Sequence, residues 1–496
     1  MADGKKMVSN VFYYFLDFAT MTFFGYLFWI IMGRMLEPTQ YGILWTSLSL
    51  FQILSIVLTF GFYESLPKFI SEFKIKKQMK KVKSLIFFSS NIVFYFSFIL
   101  AVLGLMYSEN ISMLIYGSDM MANVFRILSV LLFAGSVAWL LKSIAQGLQN
   151  FKKIFIADFI GCCVKIFLSI TLVLLGLQAL SGILAYMGWY VIIMLVLFFT
   201  VSKFSSRERS IDKGKFLKFS FYSLLSSFAL MFLMQGNIFL LSFLSSFEAA
   251  ALFGVGFLFA QIIQFIPNVL MGALFPNISE MWEKKRNVVR EIVSLSIKII
   301  TVTVLPLLIF FVIFSKFLIS FFYSIAYIEA SSLFPPLLLG TFALGITNIL
   351  MITLYSAHEP KKRLSILILG AVVNLILSLA FIPELGALGA VISFFISSII
   401  MLMFSLLSLN KILKLYFSKR TVLLIPLLFV FGIILLFTQS VENCYLKIFL
   451  VLFDTVLYVV ALLKLKIVNE NDMKVLNYIP DSFGLKKIKK IIRKLV

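Results

Sequence analysis

Histidine and cysteine are nearly missing from this chain: one histidine, His358, and three cysteines, Cys162, Cys163 and Cys444, in 496 residues. None is spaced for a metal site, a redox pair or a Cys/His nucleophile, so cofactor and thiol chemistry are excluded and no cofactor is expected. Charge is also scarce, at 13% of residues, with only 22 acidic side chains. What fills the chain instead is apolar. It is 61% hydrophobic with 57 phenylalanines and a mean hydropathy of +1.05, well above the roughly 45–50% apolar content of soluble domains.

The apolar residues fall in runs of about 20, the length that crosses a hydrocarbon core. The fold class is therefore all-α, a polytopic membrane protein, with fourteen transmembrane helices expected over 11–33, 42–62, 85–107, 124–146, 154–176, 182–201, 219–243, 250–273, 293–315, 332–355, 364–382, 387–408, 421–438 and 445–466. The basic start MADGKKMVSN precedes a run too long for a signal-peptide core, and no small-residue cleavage site ends it. It leads into the first helix.

A formal charge of +22 raises the question of nucleic acid. The distribution of the basic residues answers it. On the side that holds both termini lie 37 of the 44 lysines and arginines, in runs such as KIKKQMKKVK (74–83) and KKIKKIIRK (486–494). The positive-inside rule puts that side, and both termini, in the cytoplasm of a cell with this protein in its cytoplasmic membrane. The basic runs then set topology and attract anionic lipid headgroups, and no nucleic-acid partner is expected.

Slid against itself, the sequence matches without gaps at an offset of 208 over residues 28–72 and 236–280, both ending in ISE. LQNFKKIFIADFIG (148–161) lies over AHEPKKRLSILILG (357–370) at 209, and LQALSGILAY (177–186) over LGALGAVISF (385–394) at 208. Helices 1–6 and 7–12 read as two copies of one unit. Six helices per copy give parallel repeats, an arrangement used by secondary transporters with a site at the midplane between the halves. The expected division is a lobe over 1–210, a second over 211–410, helices 13 and 14 over 411–466, and a basic tail over 467–496.

Ionisable residues inside the membrane mark function or a buried pair. Lys165, in GCCVKIFLSITL, lies about eleven residues into helix 5, roughly 16 Å deep at 1.5 Å per residue. Snorkelling does not reach from there. Either it pairs with Asp158 or Asp17, or it faces a substrate cavity. Lys298 sits closer to its helix end, where snorkelling is the alternative. At offset 209 Asn374 lies over Lys165, and at 207 Asn91 lies under Lys298, so each lobe keeps a polar group where the other has a lysine. Asn237, Gln52 and Gln261 extend this polar lining, and Gln235 and Gln264 suit interhelical hydrogen bonds. Arg126 and Arg34 extend the cationic path outward, Arg34 with Glu37 as an alternative partner. Lys142 reads as a snorkelling anchor. Asp17 and Asp158 are candidates for ion coupling; Glu64 is a border carboxylate, and Asp454 has no assigned role. A midplane cation suits an anionic phosphate or pyrophosphate headgroup.

At GRMLEPTQYGILW, its repeat partner FLSSFEAAALFGVGF, the later PNISEM and the LGALGA before helix 12, the sequence resembles the polysaccharide transporter (Wzx-type) family of the multidrug/oligosaccharidyl-lipid/polysaccharide exporter (MOP) superfamily. The resemblance runs over nearly the whole chain. It implies two pseudo-symmetric six-helix lobes in a V around a central cavity, plus two C-terminal helices. The activity implied is flipping of a polyprenyl-phosphate- or pyrophosphate-linked oligosaccharide by alternating access, with Lys165 and Lys298 at the sugar-phosphate head and Arg34 and Arg126 behind them. Implied partners are the lipid-linked oligosaccharide, membrane lipids, and glycosyltransferases or a polymerase of the same pathway, around a monomer. The chain departs from the pattern at QGN (235–237), where Asn237 replaces a common acidic residue, and it has fewer cavity arginines than lipid II flippases. Two alternatives stand beside this reading: a cation-coupled multidrug exporter of the same superfamily, kept alive by Asp17 and Asp158, and a membrane glycosyltransferase or glycan polymerase. The latter needs carboxylates or metal ligands on large outer loops, and the longest here is about 17 residues by this topology.

Overall fold

The computed structural model describes residues 2–117, 119–202, 213–282, 286–414, 431–434, 437, 441 and 444–464. Every regular element among them is a helix. Twelve helices among the described residues are long and apolar enough to cross a membrane, and they overlap the first twelve expected spans one for one. The thirteenth expected span, 421–438, lies outside the described residues apart from 431–434 and 437. The fourteenth corresponds to a helix over Cys444–Lys464, whose apolar stretch Phe449–Leu462 is shorter than the twelve.

The helices are α1 (Ala2–Met35), α2 (Pro38–Leu58), α3 (Phe62–Ile75), α4 (Met79–Met106), α5 (Ser108–Tyr116), α6 (Ala122–Gly147), α7 (Phe151–Leu174) and α8 (Gln178–Val201). After them come α9 (Lys213–Leu244), α10 (Phe247–Met281), α11 (Arg286–Ile313), α12 (Ser315–Phe322), α13 (Phe334–Ser356), α14 (Pro360–Leu385), α15 (Ala387–Leu413) and α16 (Cys444–Lys464). A 3-10 turn over Ile325–Leu333 leads into α13.

The internal sequence match reappears as backbone geometry. At the end of α6, Gln149 takes a left-handed φ of 60° and the Asn150 amide donates to the Ala145 carbonyl at 2.9 Å. At offset 209, His358 has φ 60° and the Glu359 amide donates to Leu354 at 3.0 Å. Both are helix stops in which one left-handed residue lets amides reach back to the last open carbonyls. The single histidine is thus a turn residue. Gln178 (φ 45°), at the start of α8, and Gly386 (φ 55°), between α14 and α15, share a left-handed backbone at offset 208.

Three short helices were not expected. The span expected over 42–62 stops at Leu58, where Phe60 (φ 50°) and Gly61 (φ 68°) reverse the chain into α3. Phe62, Leu66, Phe69 and Ile70 form the buried face of α3 while Lys68, Lys76 and Lys77 stay exposed. Much of the basic stretch read as a loop is therefore the charged side of an amphipathic helix and its exit. α5 and α12 are too short to span, so apolar windows tuned to 20 residues passed over them.

The chain separates into two compact units. The first holds α1 to α9, α10 up to Gly254, Phe322–Tyr327 and Ser378–Ala390; the second holds Val255–Phe321, Ile328–Leu377 and the described residues from Val391 onward. In the first unit Trp29 stacks on Trp45 with centroids 3.6 Å apart and planes at 10°, and the Tyr327 hydroxyl donates to the Leu36 carbonyl at 3.1 Å. α2 and α10 touch at their starts, where a Cβ on Gly42 would lie 1.8 Å from the Phe247 carbonyl oxygen. A backbone oxygen cannot swing aside as a side chain can. Gly42→Ala is therefore expected to destabilise by more than the roughly 1–3 kcal/mol of ordinary overpacking, whereas Gly25→Ala, with nothing within 4 Å, leaves thermal stability unchanged; equal melting temperatures for the two variants would contradict this packing.

In the second unit Pro306 interrupts α11. Proline lacks the N–H that the carbonyl four residues earlier would accept, which leaves Val302 open. The Tyr458 hydroxyl of α16 donates to the Val302 oxygen at 3.2 Å, and Val451, Tyr458 and Leu462 pack with Ile313, Phe314 and Phe431. The last described helix thus meets α11 through an apolar cluster and through the acceptor that the proline leaves open. Across the molecule the exposed large side chains include Phe94, Phe98 and Ile99 of α4 and Phe198 and Phe199 of α8, which fits a surface made for lipid rather than water.

Candidate functional site

α7 turns one stripe inward: Ala157, Asp158, Gly161, Cys162, Lys165 and Ser169 are its buried polar and small positions, with Asp158, Cys162, Lys165 and Ser169 three or four residues apart in succession on one face. Lys165 is 2% exposed. Its ammonium is boxed by three rings, with Nζ 4.7 Å from the centroid of Tyr186, 4.7 Å from Trp189 and 5.1 Å from Phe28. Among the described residues it makes no hydrogen bond or ion pair. Faces of aromatic rings attract a cation through their quadrupole, by about 2 kcal/mol or more once water is gone, which holds the charge without neutralising it.

The carboxylate expected beside Lys165 is engaged elsewhere. Asp158, fully buried, has Oδ2 2.7 Å from Nζ of Lys142, whose side chain is 12% exposed. Asp158 Oδ1 and Asp17 Oδ1 are buried without hydrogen-bond partners, and Asp17 of α1 lies near enough to feel both charges. Lys142 also stands 5.4 Å from the ring of Trp139, against which Tyr63 packs edge-on. This corrects two readings. Lys165 is not half of an ion pair among the described residues, and Lys142 is not a snorkelling anchor, because its ammonium turns to a carboxylate buried inside the unit.

The remaining candidates are dispersed. Arg34 is exposed at the end of α1, six residues or roughly 9 Å along the axis from Phe28, and donates from Nε to the Phe322 carbonyl at 3.0 Å. Arg126 is exposed and engaged by Glu109, by Ser108 at 3.1 Å and by Asn123 at 3.0 Å. Asn237 is buried, accepting from Ser378 at 2.9 Å and donating to the Ala390 carbonyl at 3.4 Å. Asn91 and Gln52 are half-buried. In the second unit Lys298 of α11 is buried, Gln261 is half-buried, and the amide of Asn374 on α14 is buried with neither atom bonded. Glu64 accepts from Ser223 at 2.8 Å and Ser227 at 3.0 Å. Asp454 is buried on α16 with Oδ2 unpartnered.

Sequence reasoning missed the aromatic box and the Lys142 counter-ion. Tyr186 and Trp189 are three residues apart on α8, a helical spacing that marks a shared face, but in a chain with 16% aromatic residues that spacing carries little signal.

Residues 31–332 match the family described as "Polysaccharide biosynthesis protein", and residues 257–456 match the family described as "Lipid II flippase MurJ". An uncharacterised membrane protein of Methanocaldococcus jannaschii is 23% identical over 96% of this chain and 98% of its own length. Among solved structures, the lipid II flippase MurJ in an inward closed conformation superposes with a TM-score of 0.70 at 15% identity, covering 91% of this chain and 97% of that one. An inward-facing multidrug resistance MATE family transporter of the MOP superfamily gives 0.66 at 15% identity, over 79% of this chain and 94% of that one. At such identities the likeness is one of fold.

Proposed function

This chain belongs to the polysaccharide biosynthesis protein family, and from that premise we propose that it flips a polyprenyl-phosphate- or pyrophosphate-linked oligosaccharide across the cytoplasmic membrane by alternating access, with both termini in the cytoplasm. The observation that carries the reading is Lys165: a buried ammonium held by three rings and no acceptor. It stands ready for an anionic headgroup. The fold shared with a lipid II flippase supports a lipid-linked substrate. Lys298, Arg34 and Arg126 remain secondary headgroup contacts in this proposal, with Asn91, Asn374, Asn237, Gln52 and Gln261 as polar lining. The division into a 1–210 lobe and a 211–410 lobe is also part of it, supported by the recurring turns at Gln149 and His358.

Reconstituted in liposomes with a fluorescent polyprenyl-pyrophosphate-linked oligosaccharide, the protein is expected to expose inner-leaflet label to an impermeant quencher. Liposomes that behave as protein-free ones would sink the proposal. A second reading, a cation-coupled multidrug exporter, draws on the MATE-like fold and on the Asp17–Asp158 carboxylates. Against it, Lys142 offsets one of those charges, and the aromatic box is already filled by the protein's own cation. Collapse of proton and sodium gradients separates the energetic possibilities: flipping that is unaffected removes Asp17 and Asp158 as coupling groups.

A further inference from the structure

We infer that Trp189 is the second hydrogen-bond donor of the Lys165 site, and that indole N–H and ammonium together form a receptor for a phosphate oxyanion that rejects organic cations. The inference rests on the proposed function but is tested apart from it. Trp189 is 4% exposed, and its Nε1 is buried without an acceptor. An indole is a donor only, and a lysine ammonium offers three donors and no acceptor. Buried donors nearly always find partners, so two bare ones on one residue pair, the ammonium over the face of the ring that carries the N–H, describe a site waiting for its acceptor.

The backbone explains why they meet. A Cβ at Gly161 would lie 2.3 Å from Cδ1 and 3.1 Å from Nε1 of Trp189, so only glycine lets the N–H edge of the indole reach α7. Lys165 follows Gly161 by four residues, and helical side chains lean toward the preceding turn. The lysine stem therefore runs back toward the place where the indole edge lies, and the ring centroid stands 4.7 Å from Nζ. Asp158, one turn before Gly161, has its charge engaged by Lys142. What Lys165 and Trp189 themselves offer a ligand is one positive charge and one N–H, with aromatic faces around them. Aromatic cages elsewhere capture ammonium ligands; this one contains its own, and a second cation would meet like charge.

Calorimetric titration of the purified full-length protein tests this with farnesyl pyrophosphate as a lipid-like probe, inorganic pyrophosphate as a free one and tetraphenylphosphonium as a cation. Farnesyl pyrophosphate should bind, tetraphenylphosphonium should not, and Trp189→Phe, which keeps a ring beside the lysine but removes the N–H, should weaken the pyrophosphate by about tenfold or more, as for a hydrogen bond to a charged group. Replacing the Trp189 indole by its benzothiophene isostere supplies the same test where the phenylalanine variant fails to fold. Equal binding of inorganic pyrophosphate assigns the receptor to free phosphate, and preference for the farnesyl compound assigns it to a lipid headgroup. Unchanged affinity in both variants, no pyrophosphate binding at all, or capture of tetraphenylphosphonium overturns the inference. If pyrophosphate binds through Trp189 yet no lipid-linked glycan crosses the bilayer, the receptor stands and the flippase reading falls. If flipping is intact and the variants bind normally, the reverse holds.

Discussion

Lys165→Met is expected to abolish flipping of the lipid-linked oligosaccharide while the protein inserts, folds and melts at the same temperature or higher. The two halves of that result come from one geometry. A buried ammonium costs several kcal/mol to desolvate, and replacing buried charge with an apolar side chain of similar size is often neutral or stabilising. Here the compensation comes from rings rather than from a carboxylate, and a thioether packs well against the same rings. Transport has no such substitute. Charge-assisted bonds to a phosphate contribute about 1.5–3 kcal/mol each, so losing one or two, about 1.5–6 kcal/mol in all, lowers the rate by about tenfold to ten-thousandfold. Lys165→Arg keeps the charge, but its planar fork does not fit a box sized for an ammonium, and partial activity is expected. A structural lysine would give the opposite pattern, a lower melting temperature with transport per folded molecule intact. Fluorescence melting and liposome flipping on one preparation decide between them.

Much of the architecture could be read from hydropathy because the bilayer imposes one length on every crossing, and the twelve spans in the described residues recur in the expected order. Where the sequence matches itself at offset 209, Gln149 and His358 both take a left-handed φ at a helix stop, a common way to end a helix. What hydropathy cannot carry is which side chain meets which. Lys165 and Asp158 are two turns apart on one helix and invite pairing, but Lys142 on α6 takes the carboxylate, a choice set by helix packing rather than by spacing. α3 was hidden for another reason. Its apolar face is only half of an amphipathic helix, and a window that averages both faces returns a polar loop.

Lys142→Met should be among the most damaging single changes in the first unit, destabilising by about 3–5 kcal/mol, as removal of one partner from a buried ion pair does. Asp158 would then lose its ion-pair partner and Asp17 a neighbouring positive charge, with Oδ1 of each already unpartnered. The cluster is asymmetric, two carboxylates to one ammonium, so the reciprocal change is milder. In Asp158→Asn, Asp17 remains near Lys142 and the lysine keeps a counter-charge. The double variant Lys142→Met/Asp158→Leu is expected to recover part of the loss, because it removes the paired charges together and leaves Asp17 alone without its neighbouring cation. With the single Asp158→Leu variant closing the cycle, non-additivity of about 2 kcal/mol or more reports a pair in direct contact; simple additivity of the Lys142→Met and Asp158→Leu losses would mean that Lys142 and Asp158 act independently. The same variants bear on coupling. If Asp158 carries an ion, Asp158→Asn flips lipid at a rate indifferent to the imposed gradient, whereas the wild type responds to it. Loss of stability without loss of that response would leave the cluster as the bolt that holds α6 against α7, and the driving force would have to act elsewhere.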